Sequence, residues 1–225
     1  MDDTKLIQKL TATDKISVYL YRGGIVLATL CMIYGVYFFI NKIVALNDIK
    51  NGFTSFLSKD TIPKLIFWIF FTSIGISIFT LHLYSKQVLK VIRSFYIISV
   101  IIFIVLAFTK YPGQLNVFIT YLFNDWTGTI GLGFLLAAFS GIGAKEAFCF
   151  KLYEGYLFGI LNLILILIHL IGVVANVSKS LFLTEVILFT IITLLVIIFT
   201  IRKLRLPLYY DIGDKSRYKN NYTQT

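Results

Sequence analysis

Six long apolar runs dominate the chain, and a charged residue closes each of them at both ends. They cover residues 23–41, 65–85, 94–109, 126–144, 155–178 and 180–201. Five contain no Asp, Glu, Lys or Arg, and the sixth holds a single one, Glu185. A bilayer takes about 20 apolar residues to cross as a helix. Inside it the backbone must satisfy its own hydrogen bonds, which a helix does within one segment. The fold class that follows is all-α: a polytopic membrane protein of six transmembrane helices. The composition excludes the alternative of one water-soluble core. Of the residues 58% are hydrophobic and only 14% charged, against roughly 45–50% and about 25% in soluble domains.

The net charge of +10 raises nucleic acid as a partner, and the placement of the charges argues against it. Lysines and arginines sit at the ends of the apolar runs, where such residues anchor spans and set orientation. With six spans, fifteen of the 21 fall on the side that holds residues 1–22 and the C-terminal tail, 204–225. The positive-inside rule then places both termini in the cytoplasm, N-in and C-in. The first residues are polar and mixed in charge, so a cleaved signal segment is not expected. The expected surroundings are a lipid bilayer, either a bacterial plasma membrane or a thylakoid.

The third run is short. Its 16 residues would span roughly 24 Å as a helix, so snorkelling of Arg93 and Lys110 is expected to make up the difference. After it, Tyr111-Pro112-Gly113 breaks the chain. Residues 114–125 then read as a short interfacial or re-entrant helix, with Val117, Phe118, Tyr121 and Leu122 on one face. The fourth run is rich in small residues. Gly133, Ala137 and Gly141 recur every four positions, a pattern that lets helix backbones approach closely.

Between the fourth and fifth runs the chain crowds charges, a cysteine and aromatics into GIGAKEAFCFKLYEGY, Gly141 to Tyr156. If the fourth helix continues through it, Glu146, Cys149 and Tyr153 share a face. Glu146 and Cys149 are then weak candidates for metal ligands, of a kind that suits zinc or iron better than magnesium. The plainer reading makes Lys145, Glu146, Lys151 and Glu154 ordinary interface charges. No other cofactor is called for. On the fifth run Asn162, His169 and Asn176 are seven residues apart and fall near one face. An ionisable side chain at membrane depth faces the interior or a wet cavity, so Asn162 and His169 join the candidate polar site. Hydrogen bonding to neighbouring helices is the competing explanation. Glu185, near the outer end of the sixth run, is expected to reach the interface.

The strings AKEAFCFKLYEGY and, ahead of the first run, VYLYRGG resemble the integral membrane family of cyanobacteria and plastids catalogued as domain of unknown function 2301. The resemblance covers about Tyr19 to Arg202. It implies a multi-span protein of a photosynthetic membrane, with Lys145, Glu146, Phe148, Cys149, Phe150 and Glu154 as signature positions. Ala144 stands where the string otherwise opens with an aromatic. The family carries no assigned activity, so no catalytic residue is transferred. Three functions fit. The first is a non-enzymatic permease for a small solute or ion, or a pathway component. The second is a scaffold or assembly factor, docking a membrane partner or a second copy through the small face of the fourth span. The third is a membrane-embedded metal or thiol enzyme.

Overall fold

The structure is a computed structural model and describes residues 11–45, 61–83, 85–109, 125–175 and 179–212. The expected interfacial helix between the third and fourth spans lies outside them, as does Asn176. Six long helices form: α1 (Ala12–Ala45), α2 (Thr61–Phe79), α3 (Lys86–Thr109), α4 (Trp126–Phe150), α5 (Glu154–Ala175) and α6 (Lys179–Arg205). A single turn, α7 (Tyr209–Ile212), follows. All six long helices are long and apolar enough to cross a membrane.

Several helices outrun their apolar runs. With 34 residues, α1 is roughly 51 Å long, well beyond the ~30 Å hydrocarbon core. α3 begins at Lys86 and continues through the basic stretch that was expected to connect spans two and three. Its 24 residues give roughly 36 Å, so the third span is not short. Lys, Gln and Arg are good helix formers, and a charge alone does not end a helix. α2 does the reverse and stops at Phe79, where the Arg93 guanidinium donates to the Phe79 carbonyl at 3.1 Å. α4 runs on to Phe150 and ends at Lys151, whose φ of 56° is left-handed.

The helices close into a ring in chain order. Neighbours α1–α2, α3–α4, α4–α5 and α5–α6 pack along their lengths, and α6 returns to α1. α2 meets α3 and α4 only briefly. Interhelical hydrogen bonds pin the register. Ser77 Oγ donates to the Tyr21 carbonyl at 3.1 Å, and Ser99 Oγ to the Gly131 carbonyl at 2.8 Å. The Thr29 and Thr200 hydroxyls meet at 2.7 Å. Asn162 Nδ2 donates to Ser140 Oγ at 3.1 Å. Such bonds contribute about 0.6–2 kcal/mol each in a membrane. Outward-facing apolar side chains recur at helical spacing, as in Ile97, Ile101, Ile104 and Phe108 of α3, all at least 45% exposed. A soluble protein would not present such faces to water; a bilayer accepts them, and the protein is an integral membrane protein.

The small residues of α4 are used inside the ring. A side chain added at Gly133 would meet Ile166 of α5, whereas one at Gly141 would meet Ile92 of α3. Residues four apart rotate by 40° on a helix, so over Gly133, Ala137 and Gly141 the stripe passes from one neighbour to the other. The closest approach is at the α4–α5 turn, where a Cβ on Gly155 would run into the Gly143 carbonyl. Gly155→Ala is therefore expected to cost about 1–3 kcal/mol. Gly23, with nothing within 4 Å of an added Cβ, is expected to accept alanine without loss. Melting of both variants in mild detergent, beside the unaltered protein, checks the contrast.

Candidate functional site

The structure holds two polar sites at opposite ends of the ring. The first lies at the basic end, where α1 begins and α4 and α6 finish. Glu146, fully buried, is its hub. Its Oε1 accepts from the Tyr21 hydroxyl at 2.7 Å and from Lys145 Nζ at 2.6 Å. Its Oε2 accepts from Lys203 Nζ at 2.5 Å. Lys203 also donates to Asp211 of α7, and Asp211 Oδ2 accepts from Arg22 Nε at 2.6 Å. Arg22 spends its remaining fork on the carbonyls of Leu206 and Pro207, at 2.8 and 3.1 Å. Both ammonium groups lie between aromatic rings. Lys145 Nζ is 5.4 Å from the Tyr21 ring and 5.2 Å from Phe150; Lys203 Nζ is 5.5 and 4.5 Å from the same two.

Each member arrives for a local reason. Continuation of α4 past Ala144 carries Lys145 and Glu146 into the ring. Pro207 cannot continue α6, and the chain folds back so that Asp211 reaches α1. The start of the tail is thus packed down, with Asp211 and Ile212 buried. Glu154 is a neighbour of the cluster and not a member. Its Oε2 accepts from Arg202 Nη1 at 2.8 Å, while its Oε1 is buried and meets no partner among the described residues.

The expected pairing of Glu146 with Cys149 does not form. Glu146 points inward and Cys149 is exposed, beside Phe148, which is 82% exposed. Tyr153 lies beyond the end of α4. Three residues along a helix turn the side chain by 300°, enough here to separate the core from the outer surface. Both carboxylate oxygens of Glu146 are already occupied. Among the described residues no three His, Cys, Asp or Glu side chains gather as a metal site would require.

The second site is a cavity of about 200 Å³ towards the other end. Its walls come from α1, α2, α4, α5 and α6 and are almost wholly apolar, with Phe39, Phe67, Phe70, Phe182 and Phe189 among them. Two hydrogen-bonded polar partners interrupt this lining. His169 Nδ1 lies 3.1 Å from Glu185 Oε2, both side chains being less than 15% exposed. Glu185 turns back onto α5, where its other oxygen would lie 3.4 Å from a Cβ on Gly172. Asn162 and His169 share a helix face but serve different neighbours, α4 through Ser140 and α6 through Glu185.

The sequence reading missed Tyr21, Arg22, Lys203, Asp211 and Glu185 as site residues. Arg22 and Lys203 have the appearance of ordinary span anchors. Glu185 did carry a signal, since an acid within an apolar run is a functional candidate by default.

In the basic cluster, Arg22, Lys145 and Lys203 face two carboxylates among the described residues, Glu146 and Asp211. Glu146→Met leaves two ammonium groups together without their shared anion, and a loss of about 3–5 kcal/mol is expected. Lys145→Met instead balances the cluster at two cations and two anions while Glu146 keeps Lys203 and Tyr21. It is expected to cost well under half as much. Chemical denaturation of both variants in mild detergent reads the difference.

No curated protein and no solved structure matches the chain. The model of the family described as Uncharacterized integral membrane protein (DUF2301) matches residues 76–220, which take in α3 to α7 with Glu146, His169, Glu185, Lys203 and Asp211, and the chain belongs to that family.

Proposed function

We propose that the protein is a non-enzymatic permease of carrier type, and that it takes a small apolar or amphiphilic solute into the cavity between its helices. The observation that carries this reading is the contrast between the two ends of the ring. At one end lies an aromatic-walled cavity of about 200 Å³; apolar cavities on the order of 150 Å³ take up benzene or xenon. Below its floor at Cys31 and Leu135, the ring is filled by Ile25, Ala28, Phe139, Phe158 and Phe199, each no more than 1% exposed. Below these lies the ionic cluster. Cys31 lies nine positions along α1 from Arg22, roughly 14 Å of helix. A cavity towards one end of the ring, with packed side chains and ion pairs filling the other, fits a carrier in one of its two states. An aqueous pore would need polar walls throughout.

The basic end is assigned to the cytoplasm by the positive-inside rule, which directs the cavity towards the opposite face. Fluorobenzene titrated into the detergent-solubilised protein is expected to give a saturable bound fluorine resonance. Leu136→Trp, which sets an indole into the cavity, is expected to weaken that binding at least fivefold. A signal that tracks only partition into the detergent would count against the reading.

A further inference from the structure

We propose that the cavity selects a small lipophilic cation, and that the His169–Glu185 pair gives up one proton in exchange for it. The inference rests on reading the cavity as the solute site and names the class of solute. Aromatic faces carry negative charge density and attract cations, most strongly when water is excluded. The cavity presents such rings from α1, α2 and α6, including Tyr34, Phe39, Phe67, Phe70, Phe182 and Phe189. The lining also contains one carboxylate, Glu185, with His169 Nδ1 at 3.1 Å from it. Rings around a single acid suit a quaternary ammonium group or a protonated amine that carries apolar substituents. They repel an anion and offer a polar neutral solute few hydrogen bonds.

The proton follows from the cost of burying charge. An uncompensated carboxylate among apolar walls is strongly disfavoured. Among the described residues the other titratable groups in the lining are Cys31 and Tyr34 of α1, and neither supplies a positive charge; the described lining residues of α2 and α4 carry no titratable group. With the cavity empty, one proton held between His169 and Glu185 makes the pair neutral. A bound cation adds one positive charge, and neutrality returns when that proton leaves. Only the imidazole N–H, or the carboxyl O–H, is broken; the proton passes to water and the cation takes its place beside the carboxylate. Charge in the cavity is zero before and after, so each cation bound releases one proton.

The test compares benzyltrimethylammonium with neopentylbenzene, its neutral counterpart of the same shape, on the full-length protein in mild detergent. Calorimetry in buffers of different ionisation enthalpy counts the protons released. The expected result is binding of the cation at least tenfold tighter than of neopentylbenzene, with about one proton released per cation. In Glu185→Gln both the preference and the proton release are expected to disappear, and Glu185→Asp is expected to retain them. If the Gln variant does not fold, the proton count of the unaltered protein decides alone. Equal binding of the two compounds, or cation binding without proton release, overturns the charge selection and leaves the cavity as a solute site. Binding of neither compound to a protein with a normal melting transition overturns both readings.

Discussion

Charge that enters a medium of low dielectric has to be cancelled where it lies, and the basic end of this protein is built around one such cancellation. Glu146 is buried and would be intolerable there as an isolated anion. It is held by Lys145 from its own helix, Lys203 from α6 and the Tyr21 hydroxyl from α1. Asp211 extends the same arrangement to α7 and to Arg22. The contacts are interdependent. Removing one carboxylate leaves cations facing each other, and withdrawing α7 leaves Arg22 and Lys203 without an anion in common. The cluster therefore fixes three long helices and the chain after Pro207 as a single unit. It does so with residues whose types, on sequence alone, suggest nothing more than interfacial anchoring.

That ambiguity explains what could and could not be read in advance. The six helices and the all-α class were legible because each apolar run is long and bounded by charge, and because lipid leaves a single unbranched helix few alternatives. Helix ends were harder. Lys86, Lys90 and Arg93 look like a connection, yet all favour helix, and the polar face they form sits at the bundle end without strain. Contact partners were harder still. Glu146 and Cys149 are three apart, and only the direction in which α4 faces decides that one is core and the other surface. Asn162 and His169 share a face that turns inward, but their partners Ser140 and Glu185 depend on which neighbouring helix each reaches. Asp211 offered no periodic pattern at all, since it lies past the last apolar run.

The two polar sites are kept apart by a layer with no charge in it. Ile25, Ala28, Phe139, Phe158, Val196 and Phe199 fill that layer, and Thr29 and Thr200 satisfy each other within it. Separation matters because the sites balance charge differently. The basic cluster has more cations than anions, whereas His169 and Glu185 have one potential cation and one anion. A shared aqueous path would let the cluster's excess positive charge compete for Glu185. Under the proposed exchange, the apolar layer keeps the carboxylate's field for the bound cation.

The ring is not equally strong all round. α1 and α2 are locked by the approach of Gly24 to Ser73 and Ser77, and α4 and α5 by that of Gly143 to Gly155. α2 meets α3 and α4 over a short stretch only, chiefly through rings: Phe67 and Phe71 against Phe103, Phe71 against Tyr96, and Phe70 against Phe139. Phe67 and Phe70 belong at the same time to the cavity wall. One close glycine contact joins α2 to α3, Gly75 against the Tyr96 ring; the other pairs are side-chain contacts, which leave the backbones further apart than the glycine contacts of α1–α2 and α4–α5. Parting the ring along α2 breaks few interhelical hydrogen bonds and none of the basic cluster's ion pairs, to which α2 contributes no residue. Opening elsewhere would have to separate long packed pairs or pull charges apart in lipid. Of the ring's seams, the one beside α2 would therefore part at the least cost.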